Sequence, residues 1–259
     1  MADGPGLRVL ITGGGTIAPI DDVRVITNLS TGALAAGLTA AFLRRGDAVW
    51  HVRTPSAEPP YERGARFDLD AADPAAEHAR VELLRREWLS VRDRLHLATL
   101  PRGTAEEYAD AVGAILRGES IDITILAAAV SDFAPTPIAG KIDSRREPPV
   151  LRLRRMPKVI ASVRGWAPSI YLVGFKLLSG ATEAELIEAG ARACRETGAD
   201  LTVANDQRAK RAGAGVEGHA LYLVDRGGGW ELFDAGAGQL ERLAASIASR
   251  YSRSRHVAR

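Results

Sequence analysis

The stretch Arg8–Gly32, RVLITGGGTIAPIDDVRVITNLSTG, constrains the fold of this chain more than any other. Arg8–Thr12 is a short, β-branched run, apolar from Val9 on, as a buried parallel strand requires. Gly13, Gly14 and Gly15 follow at once, then Thr16. Glycines at a strand exit let backbone N–H groups approach a phosphate with no Cβ in the way. They serve equally as a tight turn in any α/β domain. The spacing departs from the dinucleotide fingerprint, because Ala18 stands where its third glycine belongs. Pro19, Asp21 and Asp22 delay the next helix, and the polar residues Arg24, Asn28, Ser30 and Thr31 precede Gly32. Two loops therefore meet at one end of the sheet, the second at a helix N-terminus where the dipole favours an anion. A purely structural connection would be shorter.

The helix expected over Ala33–Arg45 carries Leu34, Leu38, Ala41 and Phe42 on one stripe, and Gly46 ends it. A strand over Ala48–Val52 closes the first parallel crossover. Thr54–Arg94 then reads as an insertion: a loop, followed by one long helix over Pro74–Arg94 with Val81, Leu84, Trp88 and Val91 on its buried face. His96–Ala98 is a short strand, and Thr104 with Glu107 caps a helix to Arg117. Further strands are expected over Ile121–Ala129, Val150–Arg154, Ile170–Phe175 and Asp200–Asn205. Pro157 suits the first turn of a helix, Thr182–Thr197 forms another, and Gly236–Arg250 closes the fold behind a hairpin of His219–Val224 and Trp230–Phe233. This alternation predicts an α/β fold: a Rossmann-like, doubly wound, mostly parallel sheet with helices on both faces, plus a helical insertion and a C-terminal β-hairpin. Residues 1–259 are expected to form one domain, with 54–94 as the insertion, 134–149 as a mobile flap and 251–259 as a disordered basic tail.

Composition removes several function classes. The 34 basic and 32 acidic residues leave a net charge of +2, too little to attract nucleic acid or an anionic membrane. No apolar run reaches membrane-spanning length and Met1–Leu7 lacks a signal pattern, so a cytoplasmic protein is expected. Cys194 is the only cysteine, which excludes an internal disulfide, and its helical setting suits a small core residue. His78 and His96 have no partner at metal-binding spacing.

The candidate functional residues cluster at the carboxyl ends of strands: Gly13–Thr16, Arg24–Ser30, Ala128–Asp132, Phe175–Lys176 and Asn205. Asp132 suits a ligand contact and a turn cap equally. Lys141 suits a lid charge beside an anion or a solvated loop lysine. None of the five histidines falls in these loops, so no nucleophile–base pair is in view. Such a site positions and neutralises charge, as transfer at phosphate requires.

At this point the sequence resembles the phosphopantothenate–cysteine ligases, also called phosphopantothenoylcysteine synthetases. The resemblance rests on LITGGGTIAPIDDVRVITNLSTG, LAAAVSDF, GKI, MPKVIA, WAPSIYLVGFKLL and GADLTVAND, in the family's order from Val9 onward. GFKLL and the lack of a fused flavoprotein domain look like the stand-alone form, and the insertion with Tyr61 and Trp88 is similar to the eukaryotic enzymes. The resemblance implies a ligase of coenzyme A synthesis that joins 4′-phosphopantothenate to L-cysteine through an acyl-nucleotide made from CTP or ATP. It also implies pyrophosphate release, a Mg2+ requirement, no flavin and a homodimer. Residue by residue, Gly14, Gly15, Ser30 and Gly32 match positions holding nucleotide phosphates, and Phe175 and Asn205 match positions near base and ribose. Pro157, Lys158, Val159 and Ile160 match a segment lining the nucleotide pocket. Asn28, Ala128, Ala129 and Asp132 match the phosphopantothenate side, with Asp132 also counted to the nucleotide. Arg24 matches an arginine that reaches the partner subunit's site. Asn28 would orient the acyl-nucleotide, and Lys141 matches a flap lysine that stabilises charge during activation.

The sequence departs from the family in places. Ala33 stands where a lysine follows the NxSSG pattern, Ala35 replaces a glycine, and Ala193 and Thr197 occupy two lysine positions, with Arg192 and Arg195 nearby. These changes leave CTP versus ATP open, and Lys176, at a lysine position of the eukaryotic enzymes, does not settle it. A non-catalytic nucleotide-binding protein of the same fold is the main alternative. A short-chain nicotinamide-dependent reductase is disfavoured, since no tyrosine has lysine four residues on.

Overall fold

The computed structural model describes residues 6–143, 145, 150–208 and 219–257. In chain order, β1 (Arg8–Gly13) leads into a hairpin of β2 (Ile17–Pro19) and β3 (Val25–Thr27), then α1 (Ala33–Arg44) and β4 (Ala48–Arg53). The insertion contributes α2 (Glu62–Ala65) and α3 (Pro74–Val91) before β5 (Leu95–Thr99). Next come α4 (Ala105–Gly118), β6 (Ile123–Leu126), β7 (Phe133–Pro135), β8 (Leu153–Arg155), α5 (Val159–Trp166), β9 (Tyr171–Leu178), α6 (Glu183–Thr197) and β10 (Leu201–Asp206). After them lie β11 (Leu221–Asp225), β12 (Trp230–Phe233) and α7 (Gln239–Val257).

The main sheet has the order β12-β11-β10-β9-β6-β1-β4-β5. Its five inner pairings from β10 to β5 are parallel, β11 adds antiparallel to β10, and β12 adds antiparallel to β11. The six parallel strands therefore follow the doubly wound order, and the chain reverses its direction of travel between β1 and β6. That reversal opens a crevice at their carboxyl ends, where such sheets bind ligands.

Alternating strand residues feed two cores. Val9 and Ile11 pack with Leu38 and Phe42 of α1 and with Leu243 and Ile247 of α7. Leu10 points the other way, to Tyr108 and Val112 of α4 and Val163 of α5. Phe42 is wholly buried, and truncating such a ring to Ala costs about 3–5 kcal/mol. Glycine ends α1 as expected, with Gly46 at φ 97°. The full capping box forms at Thr182 and Glu185. At the start of α4, Thr104 accepts the Glu107 amide, while the Glu107 carboxylate turns back to the amides of Arg102 (2.9 Å) and Gly103 (2.8 Å).

Several boundaries differ from the sequence expectation. The strand expected over Ile121–Ala129 is only β6, because the chain leaves the sheet after Leu126 and touches it again through the single bridge Gly15–Ala129. The strand expected over Val150–Arg154 is β8, whose partner is β7 in a separate two-stranded sheet. Pro157 precedes the cap residue Lys158 and stands outside the first turn of α5. β9 extends to Leu178, beyond the end of β6, because β10 continues to pair with it through Asp206. Phe175 and Lys176 thus sit inside a strand, on a part that β6 leaves uncovered. The basic tail is helical through Val257, where a disordered segment was expected; residues 258–259 lie outside the described set. Tyr251 anchors it, with its ring against Tyr171 and its hydroxyl donating to Asp122 at 2.8 Å. Arg253, Arg255 and His256 in its last turns also suit the negative end of the helix dipole. Of the expected flap over 134–149, positions 144 and 146–149 lie outside the described residues.

Candidate active site

The exit loops of β1 and β6 are joined by two backbone hydrogen bonds, Ala129 N to Gly14 O (2.8 Å) and Thr16 N to Ala129 O (3.1 Å). Asn28 Nδ2 donates to the same Ala129 carbonyl at 3.3 Å. Gly14 and Gly32 both have positive φ, 92° and 74°, a region that side-chain-bearing residues rarely adopt. A Cβ on either would meet the Ala57 methyl, at 2.6 Å from Gly14 and 2.7 Å from Gly32. The glycines of the first loop therefore serve close packing: Ala57, at the start of the insertion, wedges between the two loops.

Two clefts open at this sheet end. The first has a volume of about 370 Å³ and is lined by Leu29 to Ala35, Arg63, Ala127 to Ala129, Phe175, Leu177, Asn205 and His219. The second, about 220 Å³, is lined by Val130 to Asp132, Pro157 to Ile160, Lys176, Ala193, Glu196 and Thr197, with Tyr108 and Thr202 among its inner residues. Ala128 and Phe175 belong to both, so the clefts adjoin across the end of β6 and β9.

The first cleft gathers Ser30, Gly32, Ala128, Ala129, Phe175 and Asn205 from the sequence-derived set. The second gathers Asp132, Pro157, Lys158, Val159, Ile160 and Lys176. Gly14, Gly15 and Asn28 adjoin the first through Ala129, without lining it. Arg24 and Lys141 line neither cleft. They lie together at the β2–β3 turn, where Asp21 accepts from the amides of Val23 (3.0 Å), Arg24 (2.8 Å) and Ile142 (3.0 Å). Arg24 in turn donates to the Ile142 carbonyl at 2.8 Å and pairs with Asp21. The Ile142 N–H, ahead of the Val23 and Arg24 amides and the Arg24 side chain, draws the Asp21 carboxyl down to about 2 against the opposing pull of burial.

One expectation is corrected. A histidine does reach the site: His219 lines the first cleft, 3% exposed, with Nε2 3.0 Å from Asn205 Nδ2. Its carbonyl accepts from the Gln239 amide of α7 at 2.8 Å. The signal was available in the pairing pattern, since a strand antiparallel to β10 must begin where β10 ends, beside Asn205. Arg63 is the second residue absent from the expectation, because the insertion was read as edge packing alone. Beneath the second cleft, the wholly buried Tyr108 hydroxyl lies 3.0 Å from Thr12 Oγ1, which accepts the Ala128 amide at 3.3 Å. Burial pushes that phenol up, so it stays neutral.

The family model of the DNA/pantothenate metabolism flavoprotein C-terminal domain matches residues 5–84 and 71–251. The chain belongs to this family. Among relatives of this flavoprotein C-terminal domain, the coenzyme A biosynthesis bifunctional protein CoaBC of Thermococcus kodakarensis is 32% identical over 85% of the chain and 45% of its own length. Phosphopantothenate–cysteine ligase 2 of Oryza sativa subsp. japonica is 30% identical over 76% of the chain and 67% of its own length. The chain spans about half the length of the bifunctional relatives it matches. Solved structures share the domain's fold. A Cab2 mutant in complex with phosphopantothenate-cysteine gives a TM-score of 0.79 at 23% identity, covering 98% of this chain and 90% of that one. The flavoprotein of Streptococcus pneumoniae gives 0.71 at 24%, covering 96% and 100%.

Among the described residues, no helix is long and apolar enough to cross a membrane, and no group of three or more His, Cys, Asp or Glu side chains could hold a metal ion.

Proposed function

We propose that this chain joins 4′-phosphopantothenate to L-cysteine by way of an acyl-nucleotide formed from CTP or ATP, in coenzyme A biosynthesis. The observation that carries this reading is the pair of adjoining clefts at the sheet's switch point, one facing the α1 N-terminus, in a chain whose relatives include a phosphopantothenate–cysteine ligase. In this reading a carboxylate oxygen attacks the α-phosphorus, the bond to the β-phosphate oxygen breaks and pyrophosphate leaves. The cysteine amine then attacks the acyl carbon, loses a proton and displaces the nucleoside monophosphate. The acyl-nucleotide is already reactive, so positioning and charge neutralisation suffice and no protein nucleophile is needed.

Ser30 and Gly32 are assigned to the nucleotide phosphates, as the N-terminus of α1, whose N-cap Gly32 has no side chain to cap it, favours an anion there. Gly14 and Gly15 support that loop from behind. Phe175 and Asn205 are assigned to base and ribose, and Pro157–Ile160 with Lys176 to the neighbouring wall. Asn28, Ala128, Ala129 and Asp132 are assigned to the phosphopantothenate side. A Mg2+ ion accompanying the nucleotide would need only one or two protein carboxylates; Asp132, in the exit loop of β6, would be one that holds it, and the ion would supply charge neutralisation at the phosphates.

Arg24 and Lys141 belong to one unit tied by Asp21, and neither lines a cleft of its own chain. We assign both to the site of a second copy in a homodimer. Val25, Phe133 and Leu153 are 46%, 48% and 50% exposed on the two small sheets beside that unit, an apolar face that a second copy would cover. The test is pyrophosphate formation with each nucleotide. Production that requires both 4′-phosphopantothenate and CTP or ATP supports the ligase. No production with either nucleotide points to a non-catalytic binding protein.

A further inference from the structure

The first cleft contains one strong charge. Among its described lining residues, Arg63 is the one Arg, Lys, Asp or Glu. The cleft is also lined by the loop Ser30–Gly32 and by Ala33 to Ala35 of the first turn of α1, which carry no charged side chain. A helix N-terminus supplies the equivalent of about +0.5 charge, well short of a triphosphate's charge.

The placement of Arg63 is built. Glu58, four residues before α2, donates its amide to the Thr31 carbonyl at 2.8 Å, so the insertion is stitched to the α1 loop. The Glu58 carboxylate then holds Arg63 Nε at 3.1 Å. The two Nη groups make no hydrogen bond to the described residues, and the Arg63 side chain is 49% exposed. A guanidinium held at Nε still presents donors in the geometry that matches phosphate. Tyr61, just before α2, is the one described non-glycine residue with positive φ, at 69°. Its hydroxyl donates to Glu87 at 2.8 Å and its ring packs on Trp88 of α3. Packing against α3 thus holds a backbone conformation that costs about 1–3 kcal/mol, and this conformation orients the turn bearing Arg63.

We propose that Arg63 is a binding residue for the nucleotide's phosphate chain, holding it together with the Ser30–Gly32 loop of the first cleft. The assignment rests on the nucleotide site proposed above. It makes the insertion a functional wall of that site.

The test is calorimetric titration of CTP, ATP and the matching monophosphates into the full chain, as wild type, R63A, R63K and R66A. R66A removes a neighbouring exposed arginine outside the cleft, and a thermal melt of each variant checks folding. Triphosphate affinity should fall about tenfold or more in R63A, and less in R63K. The monophosphate should lose less, and R66A should match wild type. The steep fall of wild-type affinity with added salt should also flatten in R63A. Equal triphosphate affinity in R63A and wild type would overturn the assignment while leaving the nucleotide site standing. A wild type that binds neither triphosphate would overturn both.

Discussion

Asn205 Nδ2 lies 3.0 Å from His219 Nε2, and the two side chains, both buried, form one end of the first cleft. They come from antiparallel neighbours, with Asn205 near the end of β10 and His219 just before β11. The Gln239 side chain, wholly buried at the start of α7, fixes the His219 backbone. The imidazole therefore sets the orientation of the Asn205 amide, and α7 sets the imidazole.

A double-mutant cycle tests that relation. Asn205→Ala and His219→Ala should each raise the nucleotide KM, and the double variant should cost less than the sum of the two. The coupling should be about 1 kcal/mol, the worth of one buried hydrogen bond. Strict additivity would show that the two side chains act independently.

Asp21 should hold Arg24 and the Lys141 segment as one unit. In Asp21→Asn one carboxylate oxygen becomes an NH2, which cannot accept from the Ile142 amide. Hydrogen exchange at Ile142 should rise at least about tenfold while the core amides stay protected. The same carboxyl has a folded-state value of about 2, below its ordinary 3.8. Its stabilisation is complete above 3.8 and is lost as pH falls toward 2. Unchanged exchange in the variant would remove Asp21 as the tie.

His51 should make the fold acid-sensitive at milder pH. The ring is wholly buried in β4, with Nδ1 2.7 Å from Thr39 Oγ1. Burial first, and Arg53 second, hold its value at about 3 against an ordinary 6.5. The unfolded chain takes up a proton that the folded chain refuses, so stability is full above pH 6.5 and falls as pH drops from 6.5 toward 3. Denaturant titrations should show about 1–2 kcal/mol lost between pH 7 and pH 5. The loss should shrink in His51→Gln; an equal loss there would assign it to other groups.

Asn28→Asp and Lys141→Ala should remain folded and lose turnover, each by about 100-fold, the scale of removing one stabilising group from a developing charge. Since Lys141 lines neither cleft of its own chain, mixed dimers offer a second readout. A Lys141→Ala chain paired with an Asn28→Asp chain should regain activity if Lys141 serves the other copy. Unchanged rates in both single variants would remove these roles.

The sheet and its two cores were legible because strand runs and helix stripes follow burial directly, as Val9, Leu10 and Ile11 show by alternating between the cores. The residues around Ser30, Phe175 and Asn205 were legible too, because each stands at or near a strand's carboxyl end. What sequence alone does not carry is long-range geometry. His219 and Asn205 are brought together by antiparallel pairing across an intervening segment. Arg63 reaches the cleft because Ala57 packs between two glycine turns. The helical tail depends on Tyr251 finding Tyr171 and Asp122, against a local composition rich in serine and arginine.

The most direct measurement is a single-turnover reaction of the protein with 4′-phosphopantothenate and CTP or ATP in the absence of L-cysteine. The account predicts about one pyrophosphate per active site, formed only with 4′-phosphopantothenate present, and amide product on later addition of L-cysteine. Pyrophosphate formed at the same rate without 4′-phosphopantothenate, or no pyrophosphate with either nucleotide, would contradict it.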